Sequence, residues 1–126
     1  MSVKRYLAEG GSSGLPIALA VEANGWLYVS GQVPMVDGEL VGGSITVQAR
    51  QAILNLVSVL KQAGYGTEDV VRCGVWLADA RDFGAFNAVF REFFGEHPPA
   101  RSCVVSSLVV DCKVEVECVA FKDPAA

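Results

Sequence analysis

The stretch Cys112-Lys113-Val114-Glu115-Val116-Glu117-Cys118-Val119-Ala120-Phe121 reads as a strand with two unlike faces. Side chains alternate across a strand, so every second residue belongs to one row. Cys112, Val114, Val116, Cys118 and Ala120 make a small apolar row that suits packing beneath helices. Lys113, Glu115, Glu117, Val119 and Phe121 make the other, mixing charge with apolar surface. Such a strand belongs in a sheet with helices on one side only.

Just upstream, residues 100–106 form a second strand in which Arg101, Cys103 and Val105 share a face. The uncovered sheet surface is expected to carry Arg101 together with Glu115 and Glu117. Two readings of that trio are open: a solvated face with a cross-strand ion pair, or an acid and a guanidinium lining a cleft between subunits. The second has chemical appeal. An Arg fork binds a carboxylate bidentately, and a partly desolvated Glu nearby can move protons to and from water.

Farther back, residues 82–94 have helical spacing, with Phe83, Phe86, Phe90 and Phe93 at i, i+3, i+7 and i+10. These four rings are expected to pack into the core. Gly95 and His97-Pro98-Pro99 stop the helix. Residues 70–77, rich in Val and Trp, read as a strand. A longer helix spans 46–63, where Ala49, Ile53, Leu56, Leu60 and Ala63 form an apolar stripe. Ser44 or Thr46 can cap its start and Gly64 its end. Strands over 18–23 and 26–30 flank Asn24-Gly25, a strong hairpin signal because both residues tolerate positive φ. Residues 3–8 can supply one more strand. The segment around Asp37-Gly38 and Gly42-Gly43 reads as loop.

The Gly10-Gly11-Ser12-Ser13-Gly14 run is a flexible loop, since Leu15-Pro16 follows it where a phosphate-cradling loop needs Lys-Ser/Thr and a helix. The order is thus (β)-β-β-α-β-α-β-β in a single domain spanning 1–126. Two helices cannot cover both faces of a five- or six-stranded sheet, so one face must find cover elsewhere.

Composition points the same way. Hydrophobic residues are 52% and charged residues 19% of the 126, below the roughly 25% charged of ordinary soluble domains. A surplus of apolar surface on so small a chain predicts self-association. Ten Lys plus Arg against fourteen Asp plus Glu give a net charge of −4. The scattered cations argue against nucleic acid. No membrane helix or secretory leader is evident, and a cytoplasmic protein is expected. Cys73, Cys103, Cys112 and Cys118 contain no C-x-x-C, and His97 is the single histidine, so neither a metal site nor a disulfide is expected. One His beside a Pro-Pro turn leaves no Ser-His-Asp triad. Cys103 has a neighbouring Arg101 to lower its pKa but no His to activate it as a nucleophile.

Five segments together resemble the reactive-intermediate-deaminase (Rid, or YjgF) family: Val29-Ser30-Gly31-Gln32-Val33-Pro34; Gln48-Ala49-Arg50-Gln51-Ala52 with Asn55-Leu56; Asp82-Phe83 with Asn87 and Phe93-Phe94; Pro99-Ala100-Arg101-Ser102-Cys103-Val104; and Lys113-Val114-Glu115-Val116-Glu117. The resemblance runs from about residue 14 to 121. It implies an α+β, chorismate-mutase-like fold of the bacterial type: a mostly antiparallel mixed sheet with two helices on one face. Three such subunits would close a barrel-like centre with clefts between them.

The implied activity is cofactor-free hydrolysis of small 2-imino or enamine acids, of the 2-aminoacrylate or 2-iminobutanoate type, to 2-oxo acids and ammonia. Carried over by position, Arg101 grips the substrate carboxylate and Glu115 handles the attacking water and its proton. Gly31 and Cys103 contribute backbone contacts, and Ser30 and Asn87 sit around the cleft. Glu117 shares the face of Glu115. Two departures bear on the substrate. Ile17 stands where active members often carry Tyr, making that wall more apolar, and the link 105–112 lacks the family's usual Leu-Pro. A larger unsaturated amino acid of the aminomuconate type, or simple binding of 2-oxo acids without chemistry, are the alternatives. The ribonuclease label some relatives carry fits poorly with an acidic chain that has one His and no basic stripe.

Overall fold

The computed structural model describes residues 2–8 and 14–124. Most of the Gly/Ser-rich loop, residues 10–13, lies outside them. Eight strands and two helices follow in order: β1 (Lys4–Tyr6), β2 (Ala20–Ala23), β3 (Trp26–Gln32), β4 (Met35–Val36), β5 (Glu39–Leu40), α1 (Ile45–Gln62), β6 (Val70–Leu77), α2 (Phe83–Phe94), β7 (Ala100–Val105) and β8 (Val114–Phe121). Six of the strands form one sheet in the order β1-β2-β3-β8-β6-β7. Only β6 and β7 run parallel; the other pairs are antiparallel. A parallel neighbour needs a crossover, and α2 supplies it.

Local chemistry sets the joints. Asn24 and Gly25 both take positive φ, 50° and 86°, in the β2–β3 hairpin. Asp37 and Gly38 do the same at 52° and 82°, turning the segment expected as loop into the small β4–β5 hairpin. The turn residues were legible, but strands of two residues have too little pattern to announce themselves. The Ser44 side chain accepts from the Val47 amide at the start of α1, and Gly64 follows its end at φ 85°.

Both helices lie on one sheet face. Beneath them Leu27, Val29, Cys73, Val75, Leu77, Val114, Val116, Cys118 and Ala120 are buried against Ala49, Ile53, Leu56, Leu60, Phe86, Val89, Phe90 and Phe94. The alternation of β8 is therefore realised as expected. The aromatic stripe of α2 holds for Phe86, Phe90 and the partly buried Phe93, gains the buried Phe94, and needs correction at Phe83, which is 46% exposed. Phe83 is the first residue of the helix, after a 3-10 turn over Ala80–Asp82, and its ring lies by the Arg101 guanidinium at the sheet edge.

The opposite sheet face carries no helix. Tyr28 is 55% and Val104 48% exposed there, beside Trp26, Trp76, Val119 and Phe121. Apolar surface of this extent on one side of a sheet is characteristic of a subunit interface.

Candidate active site

Strand β8 leads from the core face to the first candidate, Glu115, which lies between the buried Val114 and Val116 and so projects from the open face. It stands opposite Trp76, and Glu117 stands opposite Gly74. The buried Gln48 of α1 fixes where β8 begins: its Oε1 accepts from the Lys113 amide at 2.8 Å. Among the described residues the Glu115 carboxylate has no hydrogen-bonding side chain and no cation to pair with. Burial raises its pKa above the ordinary carboxylate range, and the Glu117 charge adds to the shift.

Across from it, β3 carries a bulge. Val29 pairs with Cys118 and Gln32 with Val116, so Ser30 and Gly31 together oppose the single residue Glu117. The extra residue brings the bare Cα of Gly31 against the Glu115 side chain; a Cβ at this position would collide with the carboxylate. The Ser30 hydroxyl donates to the Ala18 carbonyl at 2.6 Å. Asn55 of α1 braces the turn that follows, its amide donating to the Val33 and Met35 carbonyls at 3.0 and 2.9 Å. Ile17, Ser30 and Gly31 line one cavity of about 430 Å³ with Leu15, Leu19 and Met35, a largely apolar wall.

Arg101 is elsewhere. Its register partner in β6 is Cys73, which faces the helices. The guanidinium accordingly sits on the helix side at the sheet edge, over the rings of Phe83, Phe86 and Phe90 at 5.7, 5.6 and 4.7 Å. This corrects the expectation that Arg101 shares the open face with Glu115 and Glu117, and removes the cross-strand ion pair. Alternation within a strand says which residues share a row, but the phase of β7 is set by its pairing with β6. Stacking on three aromatic faces holds an Arg without satisfying its N–H donors. They remain able to take a carboxylate bidentately.

Asn87 and Arg101 line a cavity of about 540 Å³ between α2 and the start of β7. Cys103 lies on the same side of β7, half-buried against the core. Burial raises its pKa and Arg101 pulls the other way without prevailing, so Cys103 is a thiol and not a ready nucleophile.

The candidates thus fall into two sets: Arg101, Asn87 and Cys103 at the α2–β7 edge, and Glu115, Gly31, Ser30 and Ile17 around the β3 bulge. Within one chain Arg101 and Cys103 lie on the helix side of the sheet and Glu115 on the open side. Sequence reasoning missed the supporting roles of Gln48 and Asn55; their sign was an amide on the inward side of an otherwise apolar helix. Among the described residues no cluster of three His, Cys, Asp or Glu is placed to hold a metal, and no helix is long and apolar enough to cross a membrane.

Comparison with known proteins agrees with this fold. The family model described as endoribonuclease L-PSP matches residues 16–122. The mitochondrial protein mmf1 of Schizosaccharomyces pombe is 40% identical over 88% of this chain and 71% of its own. A RutC family protein of Pyrococcus horikoshii is 40% identical over 86% and 88%. Among solved structures, the Rid-family protein YyfA of Yersinia pestis is 30% identical with a TM-score of 0.89, covering 96% of this chain and all of that one. Escherichia coli TdcF, crystallised with bound serine, is 31% identical with a TM-score of 0.80, covering 94% and 93%. With sequence model, relatives and fold in agreement over almost its whole length, the chain belongs to the YjgF/Rid family.

Proposed function

We propose that this protein is a cofactor-free deaminase that hydrolyses small 2-imino or enamine acids to 2-oxo acids and ammonia in clefts between the subunits of a homotrimer. The observation that carries the reading is the division of the site. The carboxylate-binding group, Arg101, and the acid–base group, Glu115, belong to opposite faces of one subunit, while an apolar sheet face awaits a neighbour. A second copy packed on that face would bring its own bulge, Glu115 and Ser30 to the Arg101 edge of the first. The serine bound in TdcF supports a small amino-acid-like ligand.

The chemistry needs only a positioned water. Arg101 would hold the substrate carboxylate in a bidentate grip. An enamine would first gain a proton from solvent at its β-carbon, giving the iminium; the carbinolamine hydroxyl returns one to solvent when the C–N bond breaks. Glu115 would accept a proton as water adds to the C=N carbon, forming a carbinolamine. The same carboxyl would then protonate the amine, and the C–N bond would break to leave a carbonyl and ammonia. A group that both takes and returns a proton works better as its pKa moves from that of a free carboxylate toward the working pH, and burial shifts Glu115 in that direction. Four free cysteines fit a reducing compartment, and we assign the cytoplasm.

The test is direct. A serine/threonine dehydratase generates 2-aminoacrylate or 2-iminobutanoate in situ, and semicarbazide traps the imine that survives. Faster loss with wild-type protein but not with Arg101→Ala is the expected result. Tight binding of 2-oxo acids without any acceleration would replace the enzyme with a metabolite binder.

A further inference from the structure

The cavity between α2 and β7 holds a second cation that the proposed reaction does not use. Arg91 lines it together with Arg101, Asn87, Phe90, Phe94 and Pro98. Asn87 and Arg91 are four residues apart on α2, so they lie on one ridge and face the same way. The next position on that ridge is Gly95. A Cβ there would come within 2.6 Å of the Arg91 carbonyl oxygen and 3.1 Å of Arg91 Cγ, so this turn of the helix end is closed to a side chain and Gly95 leaves the cavity edge open.

No carboxylate lines this cavity. The ion pairs among the described residues are Arg50–Glu92 and Arg81–Asp79, both elsewhere. Two arginines, the exposed Arg91 and the half-buried Arg101, therefore line one cavity of about 540 Å³ in a protein of net charge −4. Phe90 and Phe94 supply a low-dielectric floor beneath them, which strengthens the positive potential on that side. One carboxylate gripped by Arg101 would leave the Arg91 charge uncompensated beside it.

We infer that the preferred ligand is dicarboxylic: a 2-imino or 2-oxo acid whose first carboxylate meets Arg101 and whose distal carboxylate meets Arg91. The inference rests on the deaminase reading for the role of Arg101, and it adds the substrate class and the residue that selects it.

Isothermal titration calorimetry with 2-oxoglutarate and 2-oxopentanoate tests it, because the two differ only in the terminal carboxylate. Wild-type protein should bind 2-oxoglutarate at least tenfold more tightly, with the preference weakening as salt is added. Arg91→Gln should bring the two ligands to parity, and Arg91→Glu should invert the order; circular dichroism verifies that both variants fold. Equal affinities in wild type, a preference unchanged in Arg91→Gln, or equal loss of both ligands in that variant would each overturn the proposal. Turnover of 2-aminoacrylate by wild-type protein is followed separately. Its absence would remove the deaminase reading while leaving the calorimetric comparison to decide the ligand class.

Discussion

The Glu115 carboxylate occupies the space that a side chain at Gly31 would need. The two residues come from strands paired across a bulge, and neither is informative without the other. Gly31 has no positive φ that demands glycine; what demands it is the proximity of the acid.

Gly31→Ala should therefore displace Glu115 and not break the strand. We expect kcat for imine hydrolysis to fall roughly 10- to 100-fold, the scale of a misplacement of about an ångström, with the far-ultraviolet circular dichroism unchanged. Wild-type kcat in the variant would show that the acid acts from another position.

Arg101→Lys keeps the charge and loses the planar fork. Charge-assisted hydrogen bonds contribute about 1.5–3 kcal/mol, so kcat/KM should drop by one to two orders of magnitude, with most of the loss in KM. A loss confined to kcat would move Arg101 from substrate binding to the chemical step.

The two ends of the α2 aromatic stripe should behave differently. Phe86 is fully buried, and Phe86→Ala should cost about 3–5 kcal/mol in urea unfolding. Phe83 is largely exposed and touches the Arg101 guanidinium. Phe83→Ala should cost within about 1 kcal/mol of stability, the scale of a surface cation–π contact, yet raise KM. If both variants lose stability equally, the division of the stripe into core and site is wrong.

Glu115 carries a raised pKa in the fold, so folding favours its protonated form. Its favourable contribution is present below the unfolded carboxylate pKa and is lost as pH rises through the folded value. Glu115→Gln, which removes the half-buried charge and its repulsion with Glu117, should raise Tm at pH 7, and the gain should shrink toward pH 4. Differential scanning calorimetry across that range reads it, and a Tm lowered at pH 7 would mean that the charge is stabilised by a partner.

The open sheet face should be covered in solution. Sedimentation velocity at micromolar concentration should give a single species of three chains, and Val104→Glu, on that face, should yield monomers without imine hydrolysis. A wild-type monomer that hydrolyses imines would sink the shared-cleft reading.

Much of this was legible in the chain. The period-two alternation of β8, the Asn24-Gly25 turn and the apolar stripe of α1 are local signals, and the elements they announce appear within a few residues of their expected places. Asp37-Gly38 announced a turn, but the two-residue strands around it carried no period to read. Gln48 and Asn55 were visible only as amides, since the groups they brace are distant in sequence.

By itself, then, the sequence determined the elements, the two unlike faces of the sheet and the residues that match the family's motifs, because each depends on spacing along one chain. Tertiary structure alone decided where Arg101 points. A strand's alternation is the same whichever face its odd residues take, and only the pairing of Arg101 with the inward-facing Cys73 settled the choice. The same pairing separated Arg101 from Glu115 and set it beside Arg91 at one cavity, which no count of residues along the chain could have done.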